Sequence, residues 1–416
     1  LRQQRGIENR CLEASQEPRN LMTPQRKRKL KILAGLMKHQ NGSTIPVTTP
    51  MLALLDLVIT PQETEFLLRM GTQPITYIQA LQYCPSGVEK FDAFFDTLLR
   101  KGLVWPLDFR TENDRYELAP MLVGWFELQL CGGEETREKQ EFARRLEHGF
   151  QSWKKNNVFP FRFLQNYYFL KTEAASQRIA AYRSPAASGK TRTIAVQHTL
   201  KPPDDNICTA EDVCALIERH SGENDIALMH CFCRQWRKMV GDPCRFDYPP
   251  ESCLAIGPVT EYIVRYGFGR FVPKEEALAV IERTRRAGAV HTVFYEKDDM
   301  QRPEIGICNC CPDCCGLLGS YNRSIFPLKF RCSFRSSVAA GDRCTGCGLC
   351  EAVCPVQAIV LADDGPIVDG NICLGCGQCD YQCPENVFRL ERGERIVRLP
   401  LRKNSAARFG AASRQR

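Results

Sequence analysis

The chain has 416 residues, 44% of them hydrophobic and 25% charged, enough for two to four domains of ~100–200 residues and for a core that needs no staples. The formal net charge of +8 collects at the two ends, in 1–31 and 389–416, around an acidic body. Such ends read as solvated tails or as docking sites for an acidic redox partner, and nucleic acid is not expected as a partner. The longest apolar stretch, Met51 to Ile59, is broken by Asp56 and falls far short of the ~20 residues of a membrane span. No leader pattern stands at the start, so the expected location is cytoplasmic. Leu1 is not a start residue, and Met22, followed by Thr23 and Pro24, is one candidate for it.

Residues 1–50 read as a basic tail and linker holding at most one helix. From 51 to 135 a compact unit is expected. Thr60-Pro61 opens a helix that Gly71 ends. A second helix covers 74–83. A third covers 88–101, with Phe91, Phe94, Phe95, Leu98 and Leu99 on its apolar face. A hairpin follows over 104–119, with its turn at 111–114. Three helices and a hairpin are the order of a winged helix. The third helix would be basic in a DNA reader, but it balances Glu89, Asp92 and Asp96 against Lys90, Arg100 and Lys101. It is read as a structural or docking module.

Residues 136–335 read as a mixed, cysteine-rich domain. Helices are expected over 137–153, over 209–220 with Thr209 and Asp212 as a capping box, and over 272–287. The stretch 159–169 is aromatic-rich, and 193–198 is expected as a strand. The run 184–191 ends like a phosphate-binding loop, but Ser184 replaces the first glycine and Pro185 stiffens it, so nucleotide is not expected there.

Cysteine usage departs from the ordinary. Of 23 cysteines, eighteen lie in 231–383, and clustered thiols in a reduced chain read as metal or cluster ligands. The pattern Cys344-x2-Cys347-x2-Cys350-x3-Cys354-Pro355 recurs as Cys373-x2-Cys376-x2-Cys379-x3-Cys383-Pro384, at a constant offset of 29 residues. The repeat extends into 358–361 against 387–390, and into 367–368 against 396–397. A Cys loop, a helical turn and a hairpin are therefore expected twice. Three thiolates from one tight loop wrap three irons of a cubane, while the fourth, before a proline, closes the other cluster. One [4Fe–4S] cluster should use Cys344, Cys347, Cys350 and Cys383, and the other Cys373, Cys376, Cys379 and Cys354. Tetrahedral zinc sites pair well-separated short motifs instead. Residues 336–399 resemble the bacterial two-cluster ferredoxins, and 400–416 form a second basic tail.

Nine further cysteines precede this repeat: Cys231, Cys233, Cys244, Cys253, Cys308, Cys310, Cys311, Cys314 and Cys315. They are expected to converge on one or two additional iron–sulfur clusters, with zinc or reactive thiols as alternatives. Cys231 and Cys233, two apart, would share a site only at a helix start or in irregular backbone, and the same is expected of Cys308, Cys310 and Cys311. Arg234 would offset the charge of a thiolate-bound cluster. His230 and His291 are read as core or surface residues. No Gly-x-Gly-x-x-Gly follows a strand, which disfavours flavin and nicotinamide chemistry.

Residues 50–395 are similar to a family of 4Fe–4S dicluster proteins of anaerobic bacteria and archaea. The likeness rests on the winged-helix-like start, the run 119–127, Cys231-Phe232-Cys233-Arg234, Gly267-Phe268-Gly269-Arg270 and the run 307–316. Asp313 stands where relatives can carry cysteine. The resemblance implies the clusters and names no substrate. The fold class expected is α+β, in three domains. The function expected is one-electron transfer to a redox partner protein, as a carrier rather than an enzyme. The alternatives are a reductase with a catalytic middle cluster and an iron–sulfur-sensing regulator.

Overall fold

The computed structural model describes residues 22–41, 46–107, 115–155, 206–220, 222, 225–295 and 305–400. The aromatic run 159–169, the loop 184–191, the strand expected at 193–198, the turn at 111–114 and both extreme tails lie outside them.

Helix α1 (Pro24–Asn41) buries Leu30, Leu33, Ala34 and Met37 completely, so the basic segment expected as tail and linker supplies one wall of the N-terminal core. Arg26 ties it down through Asp56 at 2.6 Å and Thr64 at 2.6 Å. Helix α2 (Thr49–Val58) packs against it. Helix α3 (Pro61–Met70) starts in a full capping box of Thr60 and Glu63 and stops at Gly71, φ 68°. Strand β1 (Ile75–Thr76) and helix α4 (Tyr77–Gln82) follow. The helix expected from 74 begins late because Ile75 and Thr76 pair with the hairpin, and because Thr76 with Gln79 forms a second capping box. Helix α5 (Phe91–Arg100), β2 (Val104–Pro106) and β3 (Arg115–Leu118) complete a three-stranded sheet of order β1-β3-β2. Phe66 of α3 packs among Phe91, Phe94 and Phe95 of α5.

After a π-helical turn (Met121–Trp125) and helix α6 (Arg137–Lys155), the chain builds an eight-stranded sheet. Its elements are β4 (Asn206–Cys208), α7 (Ala210–His220), β5 (Ile226–His230), α8 (Phe232–Met239), β6 (Glu251–Ile256), α9 (Val259–Arg265), β7 (Arg270–Phe271), α10 (Lys274–Arg286), β8 (Val290–Tyr295) and β9 (Ile305–Cys310). Thr209 and Asp212 bond each other's backbone N–H at the start of α7, as expected. Alternation divides the sheet's two faces. Leu254, Ile256, Val293, Ile305 and Ile307 face one way, under Val213 and Ile217 of α7 and Ala277 and Ile281 of α10. Cys253, Cys308 and Cys310 face the other way, and Cys308 and Cys310 pack with the C-terminal cluster around Leu328 and Phe330.

The last part holds α11 (Leu318–Asn322), β10 (Leu328–Val338), α12 (Leu349–Val353), β11 (Ile359–Ala362), β12 (Gly365–Val368), α13 (Gln378–Gln382) and β13 (Phe388–Leu399). The sheet order is β13-β10-β4-β8-β9-β6-β5-β7, so this part extends the middle sheet. The first repeat copy makes the expected hairpin, β11 against β12. The second does not: β13 runs along the whole of β10, from Phe388 opposite Val338 to Leu399 opposite Leu328, with one register shift between Cys332 and Phe334. The hairpin turns at Asp363-Asp364 and is closed by Gly365, whose φ is 116°. The second copy carries Glu394 at the equivalent place, a residue for which that conformation is disfavoured.

Candidate metal centres

The repeat is written into the backbone as well as the sequence. Helices α12 and α13 each start on a left-handed glycine, Gly348 and Gly377. Each copy then places a non-glycine residue in the left-handed region three positions past its last cysteine: Gln357 at φ 58° and Asn386 at φ 49°. Cys383 lines one small pocket with Cys344, Cys347 and Cys350, and Leu361, Pro366 and Phe388 wall it. Cys354 has Cys373 as an electrostatic neighbour, and Cys376 and Cys379 have both of those sulfurs. Each trio is thus joined by the last cysteine of the other copy. Ser336 of β10 reaches the second group through its hydroxyl, 3.1 Å from Cys379 Sγ, and its N–H, 3.5 Å from Cys373 Sγ. Cys347 is exposed, whereas Cys350, Cys354, Cys373 and Cys379 are buried. Burial pushes the Cys354, Cys376 and Cys379 thiols up, Cys379 to about 12. These sulfurs therefore become thiolates only against a cation. Soft donors in two sets of four, on loops bent by left-handed glycines, fit cubane clusters.

The nine middle cysteines gather in two adjoining groups. Six form a ring of neighbours: Cys231 touches Cys233 and Cys253, Cys233 touches Cys315, Cys253 touches Cys308, and Cys310 closes the ring between Cys308 and Cys315. Cys231 is the N-cap of α8, the helix start anticipated for that pair. Cys308 and Cys310 needed no irregular backbone, because residues two apart on a regular strand share a face. The other three, Cys244, Cys311 and Cys314, form a tighter set. Their sulfurs lie within 4.8 Å of one another, with Cys244 to Cys311 at 3.5 Å and Cys311 to Cys314 at 3.0 Å. Cys231, Cys315 and Cys244 are each held low by two neighbouring thiols that donate to them.

Arg234 stands between the two groups. The sulfurs of Cys231, Cys314, Cys311 and Cys244 act on it electrostatically. One nitrogen donates to Pro249 O at 2.6 Å and Ser252 Oγ at 2.7 Å, and the guanidinium lies over the Tyr248 ring, 4.8 Å from its centroid. The remaining Nε and Nη2 are buried without a partner, and so is the Tyr248 hydroxyl. All six ring cysteines line a cavity of about 310 Å³, whose other walls include Trp105, Phe150, Trp153, Trp236, Tyr262 and Phe294.

Asp313 is turned away from the thiols: its carboxylate accepts from the backbone and side chain of Arg245 at 2.9–3.2 Å. His291 is buried in the sheet, with Nδ1 donating to Asn309 Oδ1 at 2.6 Å, and it faces the helix-covered side. The ring of His230 packs on the backbone of Gly133.

Two buried amides join the two halves of the thiol system. Asn322 Nδ2 donates to Pro312 O at 2.8 Å and to Pro355 O at 3.1 Å, so one side chain spans the prolines after Cys311 and Cys354. Gln378, between Cys376 and Cys379, donates to Ala289 O at 2.7 Å, and Ala289 packs with Cys311, Cys314 and Tyr248. Asn322, Gln378, Tyr248 and Ser336 were not found from the sequence, because nothing local distinguishes them from surface polar residues.

No curated protein and no solved structure matches the chain. Among the described residues no helix is long and apolar enough to cross a membrane. The model of the 4Fe–4S dicluster domain matches residues 343–387, and with the thiol geometry above this makes the chain an iron–sulfur protein with a dicluster domain near its C-terminal end.

Proposed function

We propose that this protein is an electron carrier holding two [4Fe–4S] clusters, and that its middle thiols hold a further metal centre in electronic reach of them. One observation carries the reading: each three-cysteine loop is completed by the fourth cysteine of the other copy. Cys344, Cys347, Cys350 and Cys383 would hold one cluster, and Cys373, Cys376, Cys379 and Cys354 the other. Such clusters, when bound, supply one-electron transfer at potentials set by hydrogen bonds to the sulfurs and by solvent access. Ser336 and the backbone around Cys373 and Cys354 supply those bonds on the buried side. Exposed Cys347 marks the side where a redox partner docks, while Asn322 and Gln378 carry the contact inward to the middle thiols.

A second reading, a reductase whose middle centre does chemistry, is favoured by the 310 Å³ cavity that the ring cysteines share with apolar side chains, where a small ligand would meet the centre directly. The third reading, an iron–sulfur-sensing DNA regulator, rests on the winged-helix order of the N-terminal unit. The outward face of α5, with Asp92, Asp96 and Arg100 exposed or half-buried and Arg100 paired to Asp96 at 2.6 Å, supports docking rather than phosphate binding.

The test is anaerobic purification of the full chain, with iron and sulfide counts and EPR after reduction. The dicluster part alone should account for about eight irons and eight sulfides, with the spectrum of two interacting reduced clusters. A zinc-only protein, or one with a single cluster, would remove the proposal.

A further inference from the structure

The middle thiols differ in spacing, and spacing decides what they can hold. A tetrahedral ion with metal–sulfur bonds of ~2.3 Å keeps its thiolates about 3.8 Å apart. A cubane spreads its thiolates over separate irons, and the ring sulfurs, which touch only pair by pair around its circumference, offer among the described residues no three that could share one ion. Cys244, Cys311 and Cys314, with sulfur separations of 3.0 and 3.5 Å and all three within 4.8 Å, match the single ion. Among the described residues this is the one set of three or more ligating atoms so close.

The geometry points to two centres of different chemistry: a polynuclear iron–sulfur cluster on the six-thiol ring, and one Zn²⁺ ion on Cys244, Cys311 and Cys314, with Arg234 as its charge partner. The division goes beyond the carrier reading and relies on it only for iron at the ring.

Charge balance supports the trio as a metal site. Three thiols give up three protons to bind a divalent ion, leaving a buried site of net charge −1. A buried guanidinium with two unpaired N–H groups is costly unless an anion stands beside it. Arg234 has those two groups, is 91% buried by exposure, and has the trio's sulfurs around it. The backbone N–H of Cys314 already donates to Cys311 Sγ at 3.1 Å, which favours the thiolate.

The fourth position belongs to a non-protein ligand. Arg245 holds Asp313 away, and among the described residues no fourth cysteine, histidine or carboxylate joins the set. Tyr248 is 94% buried, its hydroxyl has no hydrogen-bond partner, and the Cys311 and Cys244 sulfurs act on it electrostatically. It is placed to hold a bound water or small anion there, together with the free nitrogens of Arg234. An open position is the mark of a reactive zinc site rather than a closed structural one.

The experiment uses the full chain, purified anaerobically with zinc supplied, and counts zinc and iron per chain. Cys311→Ser should lose about one zinc while iron stays, and Cys308→Ser should lose iron while zinc stays. Equal loss of iron in both variants would show one shared cluster and overturn the division. Zinc K-edge absorption on the unaltered protein needs no variant to fold: three sulfurs at ~2.3 Å and one lighter atom are expected. Four sulfurs, or no bound zinc, would refute the site. Arg234→Gln should weaken zinc retention against a chelator by about 10–100-fold, and unchanged retention would remove Arg234 from it. Cys373→Ser separates this from the carrier proposal: if it costs no iron, the carrier reading fails while the zinc result stands.

Discussion

Cys354 is the residue on which the crossed arrangement is most exposed to test. Its sulfur accepts from Ala358 N at 3.0 Å and lies with Cys373, Cys376 and Cys379. Cys354→Ser should therefore damage the cluster held by those three and leave the Cys344 cluster, as EPR of the reduced variant would report. Loss of the Cys344 signal instead would overturn the assignment. His291 gives a second prediction. Burial lowers its pKa to about 4, while in the unfolded chain it titrates near 6.5. Between those values the unfolded chain takes up a proton that the folded protein refuses, so stability falls as pH drops through that window, by up to about 3 kcal/mol. Urea midpoints from pH 7 to 4 should show the fall, and His291→Phe should flatten it. The cysteines themselves were legible from type and spacing. Their partition was not, because Cys244 and Cys314 meet only after a separation of 70 residues is folded back, and Tyr248 carries no local signal at all.

Elements with strong local punctuation were legible. Thr60 with Glu63, Thr209 with Asp212, and Gly71 each mark a boundary by a bond or a backbone conformation that few other residues provide. The β1 edge strand and the lost second hairpin were not legible, since both depend on distant partners, β3 and β10. Cys308 and Cys310 meet without irregular backbone, because on a strand a two-residue spacing is the period of one face. The two repeat copies also differ where a methyl group would reveal it. At Gly375, φ 64°, a Cβ would overlap the Phe334 carbonyl oxygen, while at Gly346, φ 70°, it would meet nothing within 4 Å. Gly346→Ala should cost about 1–2 kcal/mol for the left-handed backbone alone. Gly375→Ala should cost several kcal/mol and empty the second cluster. Chemical denaturation with parallel iron counts would check the contrast, and equal effects would refute it.

At the scale of the molecule, the N-terminal unit is fastened to the middle sheet rather than free to engage a long ligand. The Tyr262 hydroxyl of α9 donates to Leu99 O at 2.7 Å, at the end of α5, and Arg100 lies over the Tyr266 ring, 5.6 Å from its centroid. With acidic residues on the remaining face of α5, the intact protein should show no sequence-dependent DNA shift at physiological salt. A salt-resistant, sequence-selective shift would promote the regulator reading.

The long ribbon of β10 and β13 has a consequence for upkeep. Every dicluster cysteine, from 344 to 383, lies on one excursion whose two ends are held side by side in register. Closing that loop is the work of the ribbon, so the ends stay together whether or not metal binds. Oxidation that strips iron would slacken the excursion and leave the sheet standing. The emptied protein would remain a folded template, ready for refilling rather than for disposal.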